Sequence, residues 1–176
     1  MSTPRLVRLT EQVWSLDATL KMAPGVVLPI RATVLRDADG SVTVISPVEG
    51  VDAWAPEVEA LGPVRRVVAP SGLHHLFALP AARRFADAEL WAAAPLRDKR
   101  KDLPPTTRWL AGPGPVRLSD DLEGHLVAGM PNLDEWVWLH APSRTLVVTD
   151  LLFHLLDPGW GLGHADRKST RLNSSH

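Results

Sequence analysis

Short apolar runs alternate along the chain with helix-like segments, and prolines and glycines separate them. The segments QVWSLDATL and RATVLRD, at residues 12–20 and 31–37, are rich in strand-forming residues, and ADG at residues 38–40 predicts a hairpin turn into SVTVIS. Near the end of the chain, EWVWLH and TLVVTD flank a four-residue turn, which predicts a second hairpin.

Between the two hairpins, the pattern predicts strands and helices in alternation. Trp54, Val58 and Leu61 recur at helical spacing, and Gly62 follows where a helix end favours glycine. VRRVVAP predicts a short buried strand, LHHLFALPAARRFA a helix broken at Pro80, and AELWAAAP another strand. Four prolines predict that residues 96–123 are loop-like and contain no long regular element. Together, these units predict an α/β fold with a mixed sheet.

Composition narrows the class of protein. The 176 residues are 45% hydrophobic and 22% charged, with no window of about 20 apolar residues, which predicts one soluble globular domain outside the membrane. The start lacks the apolar core of a secretory signal, so the expected location is the cytoplasm. The absence of cysteine excludes disulfides, thiolate zinc sites and a cysteine nucleophile. A net charge of −1 argues against a nucleic-acid partner.

The last twelve residues, ADRKSTRLNSSH, are polar and differ abruptly in composition from the apolar sequence before them. They resemble the translated read-through of a sequencing adapter, and the alternative is a natural polar tail. The sequence therefore predicts a single domain over residues 1–164, truncated at its carboxyl end, and a non-native tail over residues 165–176.

The segment VVAPSGLHHLF places His74 and His75 directly after a predicted strand. Neighbouring side chains on a helix diverge by about 100°, so both could reach one metal ion only from an irregular loop or a first helical turn. Pro70, Ser71 and Gly72 provide such a loop. The alternative is a histidine pair that hydrogen-bonds to neighbouring backbone groups.

Asp150 ends the run TLVVTD and is the third candidate. It could bind a metal or cap a following helix, and the two roles are compatible because a carboxylate has two oxygens. If the strands at residues 64–69 and 145–149 shared one sheet and one direction, then His74, His75 and Asp150 would meet at one sheet edge.

Three segments in order, SPV, LGPVRRVVAPSGLHHLF and AGMPNLDEWVWLHAPSRTLVVTDLLF, resemble the DUF4336 family. That family is itself similar to the metallo-β-lactamase fold, an αββα sandwich with mixed sheets. The resemblance covers roughly residues 13–156.

The resemblance also implies a metal site. In active metallo-β-lactamase-like enzymes a strand ends in H-x-H-x-D-H, whose last two positions fall on His74 and His75. The first two histidines fall on Pro70 and Gly72, and the bridging aspartate matches Asp150. A later histidine of those enzymes falls near Met130. With one half of the dinuclear ligand set missing, the resemblance implies a single Zn²⁺ or Fe²⁺ ion held by His74, His75 and Asp150.

Further residues are weaker candidates. Asp134 and Glu135 could supply a ligand or a general base, although a solvated turn is favoured, and His154 could point at the site or pack in a helix. Ser71 lies beside the histidines, but no strained nucleophile turn frames it, so the sequence does not predict a serine triad. No phosphate-binding glycine motif is present, so no nucleotide cofactor is expected.

Two hypotheses follow from these residues. The first is a mononuclear metal-dependent hydrolase that acts on a small molecule the sequence does not identify. The alternative is a non-catalytic binding or interaction domain that kept the fold and lost the catalytic metals.

Overall fold

The computed structural model describes residues 4–24, 26–129 and 133–152. Most of this part of the chain belongs to two sheets. The larger sheet has seven neighbouring strands in chain order: β1 (Leu6–Arg8), β2 (Val13–Ala23), β3 (Val26–Arg36), β4 (Val42–Ile45), β5 (Val64–Ala69), β6 (Glu89–Ala93) and β7 (Arg108–Leu110). The first four strands pair antiparallel and the last four pair parallel, which confirms the mixed sheet.

The smaller sheet has four antiparallel strands in the order β11, β10, β9, β8. Its strands are β8 (Val116–Arg117), β9 (Leu122–Leu126), β10 (Trp136–His140) and β11 (Thr145–Val147). The β10–β11 hairpin is the one predicted from the sequence. The elements within residues 96–123 are all short, which confirms that no long regular element forms among the prolines there.

Three helices complete the described fold: α1 (Val51–Glu59), α2 (Ala78–Arg84) and α3 (Leu96–Lys99). Helix α1 buries Trp54 and Val58, as their spacing predicts. The predicted break at Pro80 is wrong, because Pro80 lies in the first turn of α2, where a missing N–H costs no helical hydrogen bond. None of the helices in these ranges is both long and apolar enough to cross a membrane.

One continuous apolar core includes side chains from both sheets. Trp136 and Trp138 point to the same side of β10, are fully buried, and have ring centroids 6.4 Å apart. Gly124 is the residue paired with Trp138 on β9, and a Cβ atom at Gly124 would lie 2.5 Å from the indole ring. Glycine at this position therefore lets the ring pack flat against the neighbouring strand.

A polar cluster is enclosed within this fold. His140 at the end of β10 is fully buried, with its Nδ1 atom 2.7 Å from Ser143 Oγ and its Nε2 atom 3.5 Å from Asp37 Oδ1. Asp37 Oδ2 also accepts a 3.0 Å hydrogen bond from Arg66. We call Ser143, His140 and Asp37 the inner cluster. Ser143 lies in the turn between β10 and β11, so His140 contacts this hairpin turn from a buried position.

The strands that carry the candidate site lie in different sheets, contrary to the arrangement considered from the sequence. Strand β5 belongs to the seven-stranded sheet and β11 to the four-stranded sheet. Backbone hydrogen bonds join the two sheets at this point, from Trp136 N to Pro70 O at 2.8 Å and from Gly72 N to Leu133 O at 2.8 Å. The ends of the two strands therefore meet through packing of the two sheets.

Candidate functional site

Three chain segments meet where β4, β5 and β11 end. Because β4 and β5 are parallel neighbours, the residues after them, Ser46 and the loop 70–77, lie at the same sheet edge. A backbone hydrogen bond of 2.9 Å from Ser46 N to Val68 O fixes the first segment against β5. The chain after β11 brings Asp150 to the same place.

His74 is the centre of this meeting point. Its Nε2 atom lies 3.1 Å from Asp150 Oδ1, and its Nδ1 atom lies 2.7 Å from Ser46 Oγ. The backbone N–H of His74 donates to Ser71 Oγ at 3.2 Å, so Ser71 shapes the loop. We call Ser46, His74 and Asp150 the cavity cluster. Of the three predicted site residues, His74 and Asp150 are hydrogen-bonded to each other, His75 lines the same cavity, and the structure adds Ser46.

Ser46 is the functional candidate that the sequence reasoning missed. It is the residue directly after β4, it is buried, and its φ is +54°. A serine in this left-handed region costs about 1–3 kcal/mol, and such conformations concentrate at functional sites. The sequence signal for Ser46 was its position directly after a hydrophobic strand. The SPV segment that contains Ser46 was used only as part of the family resemblance.

Glu135 holds Asp150 in place and does not itself face the cavity. Its side chain is fully buried and accepts hydrogen bonds from Thr149 N at 2.6 Å and from Asp150 N at 3.0 Å. The solvated turn favoured for Glu135 is therefore wrong, because two backbone donors compensate the burial of its carboxylate. Asp134 is half-buried, has a φ of +42°, and does not line the cavity. His154 lies outside the described residues.

His75 has a different environment from His74, although the two are adjacent. Arg100 donates hydrogen bonds to His75 Nδ1 at 2.8 Å and to its carbonyl oxygen at 3.0 Å. Burial, and then the charges of Lys99 and Arg100, lower the pKa of His75 to about 4. Because Nδ1 accepts a hydrogen bond, the single proton of the neutral ring lies on Nε2.

The cavity cluster opens on a cavity of about 220 Å³. The side chains around Ser46, His74, His75 and Asp150 are mainly apolar, and they come from the β2–β3 hairpin and the segments after β4 and β5: Leu20, Met22, Leu28, Ile30, Pro47, Val48, Leu73, Leu76 and Phe77. A small apolar cavity with a few convergent polar groups is typical of a binding site for a small molecule.

A larger cavity of about 420 Å³ lies beside α2 and β6, away from the histidines. Arg108 and Glu89 on its wall form an ion pair of 2.7 Å. Among the described residues, the side chains around it include arginines and carboxylates but no histidine or serine. The smaller cavity has imidazole side chains that can act as a base, and the larger one does not, so we place the candidate site at the smaller cavity.

The described residues fit a metal ion poorly. Residues 4–24, 26–129 and 133–152 contain no group of three His, Asp or Glu side chains arranged to hold an ion. Both ring nitrogens of His74 have hydrogen-bond partners, and Nδ1 of His75 faces a guanidinium group. Catalytic zinc sites carry about three protein ligands, whereas His74 and Asp150 supply two here.

Comparisons with known proteins give a family and a fold. Residues 10–96 match the model of DUF4336, a domain of unknown function. No protein of curated function matches the sequence. Among solved structures, the chain is similar to the DIM-1 metallo-β-lactamase exposed to ceftazidime, with a TM-score of 0.72, 15% identity, and coverage of 91% of this chain and 75% of that one.

Two further structures have the same fold. A metallo-β-lactamase from Pontibacter korlensis gives a TM-score of 0.65 at 14% identity, covering 97% of this chain and 85% of that one. The metallo-β-lactamase FIM-1 from Pseudomonas aeruginosa, in its mono-zinc form, gives 0.60 at 15% identity, covering 78% of this chain and 64% of that one. At these identities the similarity establishes the fold alone, and it confirms the fold expected from the sequence.

Proposed function

Because residues 10–96 are a DUF4336 domain on a metallo-β-lactamase fold, we propose that the chain is a hydrolase that acts at the cavity cluster. The observation that carries this proposal is the position of His74, hydrogen-bonded to a carboxylate on one side and a hydroxyl group on the other, beside a cavity. An imidazole in this setting is a general base for a nucleophile, and the carboxylate orients it.

The cavity limits the substrate to a small molecule with an apolar part. Its volume of about 220 Å³ is below the range typical of drug-sized ligands, and most of its walls are apolar. We therefore propose a short-chain carboxylic ester or a related acyl compound as the substrate class. The imidazole of His74 would take a proton from the attacking group, and Asp150 would stabilise the imidazolium that forms.

A metal-dependent form of the hydrolase is the second candidate, with one Zn²⁺ or Fe²⁺ held by His74, His75 and Asp150. One observation favours it. Asp150 Oδ2 is buried and has no hydrogen-bond partner among the described residues. A bound ion would supply a water molecule of lowered pKa.

Hydrolysis of p-nitrophenyl butyrate tests the proposed function. The protein, purified without a histidine tag, is assayed beside His74→Asn, with His125→Asn as the matched control, because His125 is exposed and contacts Glu123 on the surface. We expect hydrolysis by the wild type and by His125→Asn, and its loss in His74→Asn. No hydrolysis of any short ester by the wild type would overturn the hydrolase and favour the non-catalytic binding domain.

Elemental analysis of the same preparations decides between the two forms. About one equivalent of zinc or iron, lost in His75→Ala together with activity, supports the metal-dependent form. Activity that is unchanged by a chelator, in a protein without bound metal, supports the metal-independent form.

A further inference from the structure

We propose that Ser46 is the nucleophile of this hydrolase and forms an acyl-enzyme through a Ser46–His74–Asp150 triad. This inference rests on the proposed function and names the attacking group. The two hydrogen bonds of His74, 2.7 Å to Ser46 Oγ and 3.1 Å to Asp150 Oδ1, join the three side chains in series at one cavity.

The hydrogen bonds determine which ring nitrogen carries the proton. An ionised carboxylate only accepts hydrogen bonds, so His74 Nε2 must donate to Asp150. Nδ1 of the neutral ring then has a free electron pair, and the Ser46 hydroxyl donates to it. This is the protonation pattern that a serine nucleophile requires of its base, with the two ring nitrogens exchanged relative to the usual triad.

The backbone at Ser46 supports the same role. A strained turn after a strand is the device that exposes the nucleophile of α/β-hydrolases, and Ser46 follows β4 with a φ of +54°. The turn differs from that device in one respect. Pro47 follows the serine and has no N–H, so it cannot stabilise an oxyanion.

His75 is the side chain that can replace this missing donor. Arg100 donates to its Nδ1, which leaves the proton of the neutral ring on Nε2, and His75 lines the same cavity as Ser46. We assign to His75 the stabilisation of the developing oxyanion through this N–H group. Adjacent histidines would then have separate roles, one as the base and one as a hydrogen-bond donor.

The reaction balances without a further reactant. The Ser46 Oγ–H proton moves to His74 Nδ1 while Oγ forms a bond to the carbonyl carbon of the ester. The carbon–oxygen bond to the alcohol breaks, and the alcohol leaves with the proton from His74. A water molecule then attacks the acyl group, gives a proton to His74, and releases the carboxylic acid as the proton returns to Ser46.

Labelling with an alkyl fluorophosphonate tests this assignment directly. The wild-type protein is incubated with the probe, digested, and analysed by tandem mass spectrometry for the modified residue. Ser46→Ala and His74→Asn are compared with Ser143→Ala, the matched control, because Ser143 contacts the buried His140 in the same way as Ser46 contacts His74. Mapping the adduct in the wild type needs no variant, so a variant that fails to fold does not affect the result.

We expect one adduct, on Ser46, in the wild type and in Ser143→Ala, and none in the other two variants. An initial burst of p-nitrophenol from p-nitrophenyl butyrate, absent in Ser46→Ala, would accompany it. Ester hydrolysis with no adduct, and with a normal rate in Ser46→Ala, would overturn the serine nucleophile and leave the proposed hydrolase intact. Neither hydrolysis nor an adduct would overturn both.

Discussion

The cavity cluster and the inner cluster have the same three residue types in different surroundings. In each, a histidine has a serine hydroxyl 2.7 Å from Nδ1 and an aspartate oxygen near Nε2, at 3.1 Å for His74 and 3.5 Å for His140. His74 lines a cavity, whereas His140 has no exposed surface. The comparison shows that the hydrogen-bonding pattern alone does not make a reactive site, because a substrate must also reach it.

The aspartates of the two clusters are held differently. Asp37 is paired with Arg66, whose guanidinium is also close to Ser41 and Thr43. Asp150 has no arginine partner among the described residues, and its backbone N–H donates a hydrogen bond to the side-chain carboxylate of Glu135. A carboxylate neutralised by arginine stabilises the fold, while a carboxylate paired with a histidine alone is available to support proton transfer by that histidine.

Replacing the central histidine of each cluster should separate the two roles most strongly. We expect His74→Asn to lower kcat/KM for a short ester by roughly a thousandfold or more with little change in Tm, because the general base is lost. His140→Asn should lower Tm and leave kcat/KM of the folded fraction within about threefold. Steady-state kinetics and thermal unfolding measure both, and equal effects of the two variants on activity would contradict the distinction.

Removing Asp37 should have the largest effect on stability. We expect Asp37→Ala to lower the free energy of unfolding by about 3 kcal/mol, because the partly buried Arg66 and the fully buried His140 lose their partner. Urea denaturation gives this value, and Asp17→Ala is the matched control, since the Asp17–Arg31 pair is exposed and should contribute less than about 1 kcal/mol. A loss as small as that of the control would show that the inner cluster does not stabilise the fold.

Glu135 should affect the cavity cluster indirectly. We expect Glu135→Ala to lower kcat by about tenfold through misplacement of Asp150, and Glu135→Gln, which keeps one acceptor oxygen, to restore part of it. The KM should change little, because Glu135 does not line the cavity. A purely structural role would lower Tm in both variants and leave kcat of the folded protein unchanged.

Acid should destabilise the fold through Asp37. Burial raises the pKa of this carboxyl, but the nearby side chains of His140 and Ser119 and the charge of Arg66 outweigh burial and lower the pKa below its ordinary value. A folded-state pKa below the unfolded value stabilises the protein above about pH 4, and this stabilisation is lost as the pH falls through the folded pKa. Unfolding measured from pH 6 to pH 2 should show this loss, and Asp37→Asn should reduce it.

The smallest expected effect is at the serine of the inner cluster. Ser143→Ala removes the hydroxyl hydrogen-bonded to His140 Nδ1, and we expect a loss of about 1 kcal/mol in unfolding free energy with unchanged ester hydrolysis. Ser46→Ala should instead abolish hydrolysis, with a small gain or loss of stability. If both serine variants changed only stability, Ser46 would have no role as a nucleophile.

Local pattern predicted the elements better than the contacts between them. Trp54 and Val58 at helical spacing identified α1, and the two hairpins were placed correctly because alternation and turn residues are local signals. The burial of His140 could not be predicted, because a single polar residue on a strand does not show what covers it. Glu135 was placed wrongly for a related reason, since its partners are the backbone N–H groups of Thr149 and Asp150, which lie 14 and 15 positions further along the chain.

The sequence by itself determined the α/β class, the family resemblance, and the residues His74 and Asp150 at the ends of two strands. Only the tertiary structure decided that those strands belong to different sheets, that Ser46 joins His74 at the cavity, and that His75 faces Arg100 instead. The physical reason is the distance along the chain over which each kind of interaction acts. Hydrophobic periodicity and turn chemistry act within a few residues, whereas a site is formed by side chains 28 and 76 positions apart that packing brings within hydrogen-bonding distance.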